Sequence, residues 1–346
     1  MGCLLLLCRG RTETGCCEVI MAKILVTGAG GFIGSHLTEE LVRMGEDVRA
    51  FIRYHSRDER GDLEYLPKEI QRQIEVIPGD LTDPNGVRKA VRGCARIYHL
   101  GALIGIPYSY VNPFDFVQTN VVGTAHLLNA CLDNESLERI IHTSTSEVYG
   151  TAQYTPIDEK HPLQAQSPYA ASKIAADKLA ESYYLSFSLP LVILRPFNTF
   201  GPRQSLRAII PTIISQAIGN KKILLGNIKP RRDFLFVKDT VQGFIEIGKC
   251  NEAIGKVVNI GTGRDLSIGE LAEKIIELVG TDGRVEIEDR RFRPEKSEVM
   301  QLLSDIRLAQ KLFGWAPKYS LEDGLRETIE WYRENLSRFK VGSYPL

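Results

Sequence analysis

Residues 23–34, which read KILVTGAGGFIG, decide the fold. The first five form a short apolar run typical of a buried parallel strand, and apolar residues recur at helical spacing after the glycines. Gly28 permits a tight turn, Gly31 leaves room for a pyrophosphate, and Gly34 lets the helix pack on the strand. A glycine loop between a strand and a helix predicts dinucleotide binding, with the phosphates at the helix N-terminus.

The second predicted strand should carry the residue that reads the adenosine ribose. It ends in FIRYHSR at residues 51–57, without the Asp or Glu that usually accepts a hydrogen bond from the ribose of NAD. Arg53 and Arg57 can instead pair with the 2′-phosphate of NADP. The sequence therefore favours NADP over NAD, and the alternative is that both arginines belong to a solvated loop.

Hydroxyl groups and a carboxylate follow a further buried strand, residues 139–143. Thr145, Ser146 and Glu147 come soon after this strand. Open α/β sheets bind ligands at the carboxyl ends of their strands, so these side chains are candidates for catalysis. The alternative for Glu147 is a local cap, and for Ser146 an ordinary turn residue.

A tyrosine and a lysine follow a predicted helix start. Ser167 is a suitable N-cap and Pro168 suits the first helical position. Tyr169 and Lys173, four residues apart, then share one face of the helix. A phenol with a pKa of about 10 is a poor base at neutral pH, and a nearby ammonium favours its ionised form. We therefore expect Lys173 to lower the pKa of Tyr169 and make it a usable proton acceptor.

Composition excludes several classes of partner. The chain has 346 residues, with 43 Lys and Arg against 43 Asp and Glu, so no net charge attracts it to nucleic acid or an anionic membrane. Its seven cysteines show neither a disulfide framework nor metal-ligand spacing. The sequence predicts a cytoplasmic globular protein without a metal, a nucleic-acid partner or a membrane partner.

Residues 1–22 form an extension ahead of the first predicted strand. The run LLLL at residues 4–7 is shorter than a signal-peptide core and far shorter than a membrane span. We expect this extension to carry no function, with Met21 as an alternative start.

Taken together, these motifs resemble the extended short-chain dehydrogenase/reductase family of nucleotide-sugar enzymes, over residues 23–332. The resemblance rests on motifs spread along the chain: GAGGFIG at 28–34, GDL at 79–81, HLGA at 99–102, TNVVGT at 119–124, YAASK at 169–173, RPFNTFGPR at 195–203 and RDFLFVKD at 232–239. It implies an α/β fold, a doubly wound parallel sheet of the Rossmann type with a smaller C-terminal α/β substrate domain.

The resemblance also implies roles for matching residues. Asn120 would support the active-site helix, and the substrate would be bound by Asn198, Arg232 and Arg293. The cofactor would be held by Gly28, Gly31, Phe32, Ile33, Gly34, Arg53, Asp80, Leu81, Tyr169 and Lys173.

Residues 145–147 bear on the type of reaction. Thr-Ser-Glu resembles guanosine-diphosphomannose 4,6-dehydratases and uridine-diphosphoglucuronate decarboxylases. Residues 105–110 and 293–298 add a likeness to the nucleotide-diphospho-N-acetylglucosamine 4,6-dehydratases of legionaminic-acid-type pathways. That likeness implies that Tyr169 and Thr145 act at O4 of a UDP- or GDP-linked N-acetylglucosamine and that Glu147 removes the C5 proton. The NADP or NAD is then recycled and tightly bound.

Ser146 stands where thymidine-type dehydratases have an aspartic acid. A serine hydroxyl is too weak an acid to protonate a departing hydroxyl group, so either Glu147 makes both proton transfers or a water molecule helps.

Three alternatives stay open from the sequence. Decarboxylation of UDP-glucuronate and 4-epimerisation of a nucleotide sugar share the oxidation at C4. A dinucleotide-binding redox sensor is the alternative outside enzymes, although such sensors commonly lose the Tyr or Lys that Tyr169 and Lys173 supply.

Domain limits and assembly are also predicted. Residues 23–203 and 231–263 are assigned to the NAD(P)-binding domain, and residues 204–230 and 264–346 to the nucleotide-sugar domain. We expect a helix over residues 302–312. The family likeness implies a homodimer formed through the helices near Asn120 and Tyr169.

Overall fold

The computed structural model describes residues 22–219 and 222–339. Met21 and almost all of the predicted N-terminal extension therefore lie outside the described residues. No helix in the described part of the chain combines the length and apolar character needed to span a bilayer.

The strands lie throughout the described chain. They are β1 (Lys23–Thr27), β2 (Val48–Arg53), β3 (Glu75–Gly79), β4 (Cys94–His99), β5 (Arg139–Thr143), β6 (Leu191–Pro196), β7 (Asn198–Phe200), β8 (Lys222–Leu225), β9 (Arg231–Arg232), β10 (Phe234–Phe236), β11 (Val257–Ile260), β12 (Leu266–Ser267), β13 (Arg284–Ile287) and β14 (Gln301–Leu302).

Helices connect most of these strands. They are α1 (Phe32–Arg43), α2 (Lys68–Gln71), α3 (Pro84–Val91), α4 (Ile106–Val111), α5 (Pro113–Phe116), α6 (Gly123–Leu132), α7 (Pro168–Phe187), α8 (Ile209–Gly219), α9 (Val237–Lys249), α10 (Ile268–Val279), α11 (Arg307–Phe313) and α12 (Leu321–Asn335). A π-helical segment, Val117–Val122, joins α5 to α6.

A seven-stranded parallel sheet forms the centre of the fold. Its order is β3-β2-β1-β4-β5-β6-β11. The chain builds outward from β1 through β2 to β3, then returns to the other side of β1 with β4, so the order reverses between β1 and β4. Ligands bind at such a reversal, beyond the carboxyl ends of the strands. The predicted doubly wound α/β fold is confirmed.

Smaller sheets are formed by later parts of the chain. β8 pairs with β13, β7 pairs with β10, and β9 lies between β12 and β14. Residues 257–260 return to the central sheet as β11, which pairs with β6. The division of the whole chain into two domains stays a prediction.

The predicted helix over residues 302–312 begins too early. Leu302 lies in β14 and pairs with Arg232, and the backbone N–H of Asp305 donates to the carbonyl oxygen of Ile157. Helix α11 therefore begins at Arg307, and Gly314 ends it with a φ of 67°. The apolar spacing was compatible with a helix, but strand pairing with a distant segment determines the conformation of Leu302.

A buried ion pair joins α7 to the central sheet. Asp177 accepts hydrogen bonds from Arg195 on β6 at 2.9 Å and from Ser144, just after β5, at 2.7 Å. Asp177 and Arg195 are 1% and 3% exposed. His142 lies 3.2 Å from the other carboxylate oxygen, and Arg195 also donates to the Tyr149 hydroxyl. Every charge in this network is compensated by a partner, as burial requires.

Removing one member of this pair should destabilise the protein strongly. We expect Asp177→Ala to lower the free energy of unfolding by about 3–5 kcal/mol, because Arg195 would stay buried without its counter-ion. Equilibrium unfolding in urea measures the change. The matched control is Glu286→Ala, which breaks an ion pair whose Lys222 and Glu286 side chains are 71% and 45% exposed and should cost less than about 1 kcal/mol. Equal effects of the two substitutions would contradict this account.

Candidate active site

The glycine loop after β1 has the geometry of a phosphate site. Gly28 has a φ of 71°, and a Cβ atom there would lie 2.8 Å from the backbone nitrogen of Gly101. The loop then turns into α1, whose N-cap Gly31 is exposed and provides no side-chain acceptor for the first N–H groups of the helix. The first turn also contains no acidic residue. The loop therefore fits an anionic group such as a dinucleotide pyrophosphate.

The other loop residues assigned to the cofactor differ in exposure. Phe32 and Ile33, the first residues of α1, are partly buried, while Gly34 is fully enclosed and packs against Gly28.

Arg53 and Asp80 lie at the carboxyl ends of neighbouring strands. Arg53 is the exposed last residue of β2, and Asp80 follows β3, which pairs with β2. Burial opposes ionisation of Asp80, but hydrogen bonds from Thr82 and the charge of Arg53 lower its pKa overall. Leu81 is buried beside the carboxyl ends of these strands. Arg57 lies in the exposed loop after β2. This position fits both a residue that pairs with a 2′-phosphate and a residue of a solvated loop.

Tyr169 and Lys173 are held by the first turns of α7. Ser167 caps this helix by accepting a hydrogen bond from the backbone N–H of Ala170, as the sequence predicts. Lys173 donates to the carbonyl oxygen of Thr143, the last residue of β5, at 2.6 Å. Asn120 donates to Ser172 on the same helix at 2.9 Å, so it supports the active-site helix as the family resemblance implies.

The pKa values of the pair correct one expectation. Burial raises the pKa of Tyr169 above its ordinary value, and a hydrogen bond with Thr145 only partly offsets this effect. Burial also lowers the pKa of Lys173 to about 8, against the favourable charge of Asp177. In the protein alone, burial therefore outweighs any lowering of the Tyr169 pKa by Lys173, because removal from water penalises both ionised forms.

Glu147 is directed toward the same site. Thr145, and not Glu147, caps the short 3₁₀ turn Ser146–Tyr149 by accepting from the backbone N–H of Glu147 at 3.2 Å. The Glu147 side chain is half-buried and interacts electrostatically with Tyr169 and with Arg232. Ser146 is 2% exposed. Since Thr145 caps this turn, the capping alternative for Glu147 is not supported.

Arg232, Arg293 and Asn198 contribute further polar groups. Among the described residues, the buried Arg293 Nη1 and Asn198 Oδ1 atoms have no hydrogen-bond partner, although Arg293 Nη1 forms an ion pair with Glu298 at 3.9 Å. Glu147 and Glu298 offset part of the charge of the two arginines. The guanidinium groups can also pair with a ligand that carries phosphate.

Asp177 and Gln166 were not predicted from the sequence. Asp177 follows Lys173 by four residues on α7, so helical spacing already placed a carboxylate on the face of the catalytic pair. Gln166 precedes the N-cap of α7, and no local pattern marked its contacts with distant segments.

A dinucleotide loop at β1 and a Tyr-Lys pair facing the end of β5 define the class of protein, an extended short-chain dehydrogenase/reductase. The description of the matching family model is GDP-mannose 4,6 dehydratase, and it covers residues 25–328. The chain belongs to this family.

Individual relatives agree with that membership. The dTDP-D-glucose 4,6-dehydratase of Mus musculus is 33% identical, over 92% of this chain and 90% of its own length. The UDP-N-acetyl-alpha-D-glucosaminuronate decarboxylase of Bacillus cytotoxicus is 31% identical, over 90% of this chain and 98% of its own. The structure of DesIV, a dTDP-glucose 4,6-dehydratase from Streptomyces venezuelae with NAD and TYD bound, superposes with a TM-score of 0.83 at 28% identity, covering 92% of this chain and 99% of DesIV.

The buried position of Lys173 predicts an unusual titration. We expect its ammonium to lose its proton with a midpoint near pH 8, because burial disfavours the charged form. Heteronuclear NMR of labelled lysine side chains measures this midpoint, and the resonance that disappears in Lys173→Arg identifies the residue. A midpoint above about pH 10, the range of a solvated lysine, would contradict the account.

Proposed function

We propose that the protein is a nucleotide-diphosphosugar 4,6-dehydratase acting on UDP- or GDP-linked N-acetylglucosamine. The observation that carries the proposal is that Thr145, hydrogen-bonded to Tyr169, caps the turn that contains Glu147, and that Glu147 interacts electrostatically with Tyr169 and Arg232. A phenol can accept the proton of a sugar hydroxyl, while a separate carboxylate can remove a proton from carbon. Dehydration requires both of these groups, whereas simple oxidation of the sugar requires only the first.

The first step is oxidation at C4 of the sugar. Tyr169 would take the proton of O4 as general base. Burial raises its pKa in the protein alone, so this role requires positive charge beside the phenol, from the Lys173 ammonium and from the oxidised nicotinamide of a bound cofactor. Thr145 would donate its single hydroxyl proton to the same O4 atom. A bound nicotinamide would supply the hydride chemistry, accepting hydride from C4 and returning it to C6. Lys173 holds its ammonium beside the end of β5 through Thr143.

The second step is loss of water across C5 and C6. The ketone at C4 makes the C5 proton acidic, and Glu147 removes it as general base. The hydroxyl group at C6 leaves and needs a proton. Ser146 is too weak an acid to supply one, so the newly protonated Glu147 donates its proton and returns to the carboxylate form. When hydride is returned to C6, C5 must take up a proton, and the proton that Tyr169 accepted from O4 balances this step and restores Tyr169 as a base.

The substrate is proposed to lie between β7 and the segment that carries Arg293. Asn198 is the first residue of β7, and Arg232 lies in β9. The two guanidinium groups would pair with the diphosphate, and the Asn198 amide would orient it. The support for this assignment is the electrostatic interaction of Arg232 with Arg293 and, within the described chain, the buried Arg293 Nη1 and Asn198 Oδ1 atoms, which have no hydrogen-bond partner.

NADP is the cofactor that we favour over NAD. The exposed side chain of Arg53 closes β2, and residues 51–57 contain no acidic residue. An arginine in this place can pair with a 2′-phosphate. The solvated-loop alternative stays open for Arg57.

Decarboxylation of a nucleotide glucuronate is the second candidate. It would use the same oxidation at C4 and requires a cation near the C6 carboxylate. The interaction of Arg232 with Glu147 supports this candidate, because Glu147 is proposed to act at the adjacent C5. The similarity to a decarboxylase from Bacillus cytotoxicus is a second point in its favour.

A homodimer through the helices near Asn120 and Tyr169 is also proposed. Its support is the set of exposed apolar side chains close to these helices: Phe114 at 80%, Val117 at 45% and Leu185 at 72% exposure. Covering such side chains is favourable in water. The cytoplasmic location stays a prediction.

Mass spectrometry of incubated sugar nucleotides tests the proposed reaction. We expect UDP- or GDP-N-acetylglucosamine to lose about 18 mass units, one water, since the proton transfers described above eliminate the C6 hydroxyl. Loss of about 44 mass units, one CO2, from a nucleotide glucuronate would instead identify the decarboxylase. If neither change occurs with UDP-, GDP- or dTDP-linked sugars, the proposed function is wrong.

Glu147→Gln is the matched variant for this assay. The amide keeps the shape of the side chain but cannot accept a proton, so dehydration should fall by about 10²–10⁴-fold. Oxidation at C4 should persist and be visible in the near-ultraviolet absorbance of the cofactor. Full retention of dehydration would remove Glu147 from the mechanism.

A further inference from the structure

Gln166 joins three segments of the active site. It lies directly before Ser167, the N-cap of the helix that carries Tyr169. Its side chain contacts the segment that follows Glu147, and both its side chain and its backbone contact the segment that carries Arg293. We refer to Gln166 with Tyr110, Thr151, Lys296 and Ser297 as the Gln166 junction.

The first connection runs to the turn that bears Glu147. The Oε1 atom of Gln166 accepts hydrogen bonds from the backbone N–H of Thr151 and from its hydroxyl group. Gly150 precedes Thr151 with a φ of 61°, and a Cβ atom at Gly150 would lie 2.7 Å from Gln166 Oε1. A glycine is therefore needed for this close approach.

The second connection runs to the segment that bears Arg293. The Nε2 atom of Gln166 donates to the carbonyl oxygen of Lys296 at 2.9 Å, and the Ser297 hydroxyl donates to the carbonyl oxygen of Gln166. A carbonyl oxygen only accepts, so the single hydroxyl proton of Ser297 is used there. Tyr110 on α4, whose hydroxyl lies 2.6 Å from Ser297 Oγ, must therefore donate to it.

The segment that bears Arg293 has little regular structure. Between β13 and β14 its regular structure consists of two 3₁₀ turns, Asp289–Arg291 and Glu295–Ser297. Phe292, Pro294 and Lys296 are exposed. The segment is held by the buried side chain of Val299, by the ion pair of Arg293 with Glu298 at 3.9 Å and by the hydrogen bonds of the junction.

We propose that Gln166, Ser297 and Tyr110 are positioning residues that hold Arg293 in place for the diphosphate of the substrate. The inference rests on the proposed nucleotide-sugar function. These residues act on the substrate through Arg293, while Tyr169 and Glu147 perform the chemistry. Their loss therefore weakens nucleotide binding more than it slows turnover at saturation.

Substitutions can separate the two connections. Tyr110→Phe removes one hydroxyl and one hydrogen bond to Ser297. Ser297→Ala removes the link to the Gln166 backbone. Gln166→Glu keeps an acceptor for Thr151 but places a carboxylate oxygen against the Lys296 carbonyl, so it breaks the second connection selectively. Tyr108→Phe is the matched control on α4, because the Tyr108 hydroxyl donates to Asp115 and does not contact the junction.

The test measures the Kd of the intact protein for UDP, GDP and dTDP by titration calorimetry. We expect Tyr110→Phe, Ser297→Ala and Gln166→Glu each to raise the Kd of the nucleotide that binds by about 3- to 10-fold, the effect of losing one or two hydrogen bonds. The KM for the matching sugar nucleotide should rise in parallel, while kcat stays within about twofold of the wild type. Tyr108→Phe should leave both constants unchanged.

Two results overturn the inference while the proposed function stands. One is a wild-type protein that binds a nucleotide whose Kd is unchanged in Ser297→Ala and Tyr110→Phe. The other is an equal rise of the Kd in Tyr108→Phe, which would mean that α4 is loosened in general. If the wild type binds none of the three nucleotides, the proposed function and this inference are both wrong. Thermal unfolding of Tyr110→Phe, which loses a single hydroxyl, confirms that the comparison is made on folded protein.

Discussion

The buried ion pair between Asp177 and Arg195 fixes the catalytic helix on the central sheet. Asp177 lies one turn beyond Lys173 on α7, while Arg195 lies on β6 and Ser144 follows β5. Burial raises the pKa of a carboxyl group, yet hydrogen bonding to His142 and the charge of Arg195 hold the pKa of Asp177 at about 2. Burial of the pair costs desolvation free energy, but the contact fixes the position of α7 against the carboxyl ends of the strands. Tyr169 faces Thr145 because this contact aligns their elements.

Electrostatic compensation differs between the two sides of the site. Behind Lys173, each charge of the buried network has a partner inside the protein. On the substrate side, Arg232 interacts electrostatically with Arg293, and Glu147 and Glu298 offset part of their charge. A chain with equal numbers of acidic and basic residues thus places two guanidinium groups together, where they could pair with a diphosphate. The first arrangement supports the fold, and the second suits an anionic ligand.

Local patterns in the sequence were sufficient to predict the parts of the site that depend on local geometry. The loop at Gly28, the cap at Ser167 and the spacing of Tyr169 and Lys173 follow from glycine, capping and helix rules, and the structure contains each of them. The direction of the Tyr169 pKa could not be predicted in this way. It depends on burial against Phe116, whose ring centroid lies 6.2 Å from that of Tyr169, in a segment about fifty residues earlier.

Contacts between distant segments account for the other differences. Leu302 was assigned to a helix because its apolar neighbours have helical spacing, but pairing with Arg232 makes it a strand residue. The Gln166 junction joins Tyr110 to Ser297 across 187 residues, and no periodicity marks such a contact. Side-chain hydrogen bonds of this kind are specified by the complete fold, so a single sequence shows them only after the topology is known.

The central claim is that the protein is a nucleotide-sugar 4,6-dehydratase, and the transfer of the sugar's own C4 hydrogen tests it most directly. The protein is incubated with UDP- or GDP-N-acetylglucosamine carrying deuterium at C4, and NMR locates the label in the product. Oxidation at C4, elimination across C5 and C6, and return of the same hydride place the deuterium at C6. Deuterium retained at C4 of a sugar with inverted configuration would indicate an epimerase, and either that result or loss of the label to solvent would contradict the account.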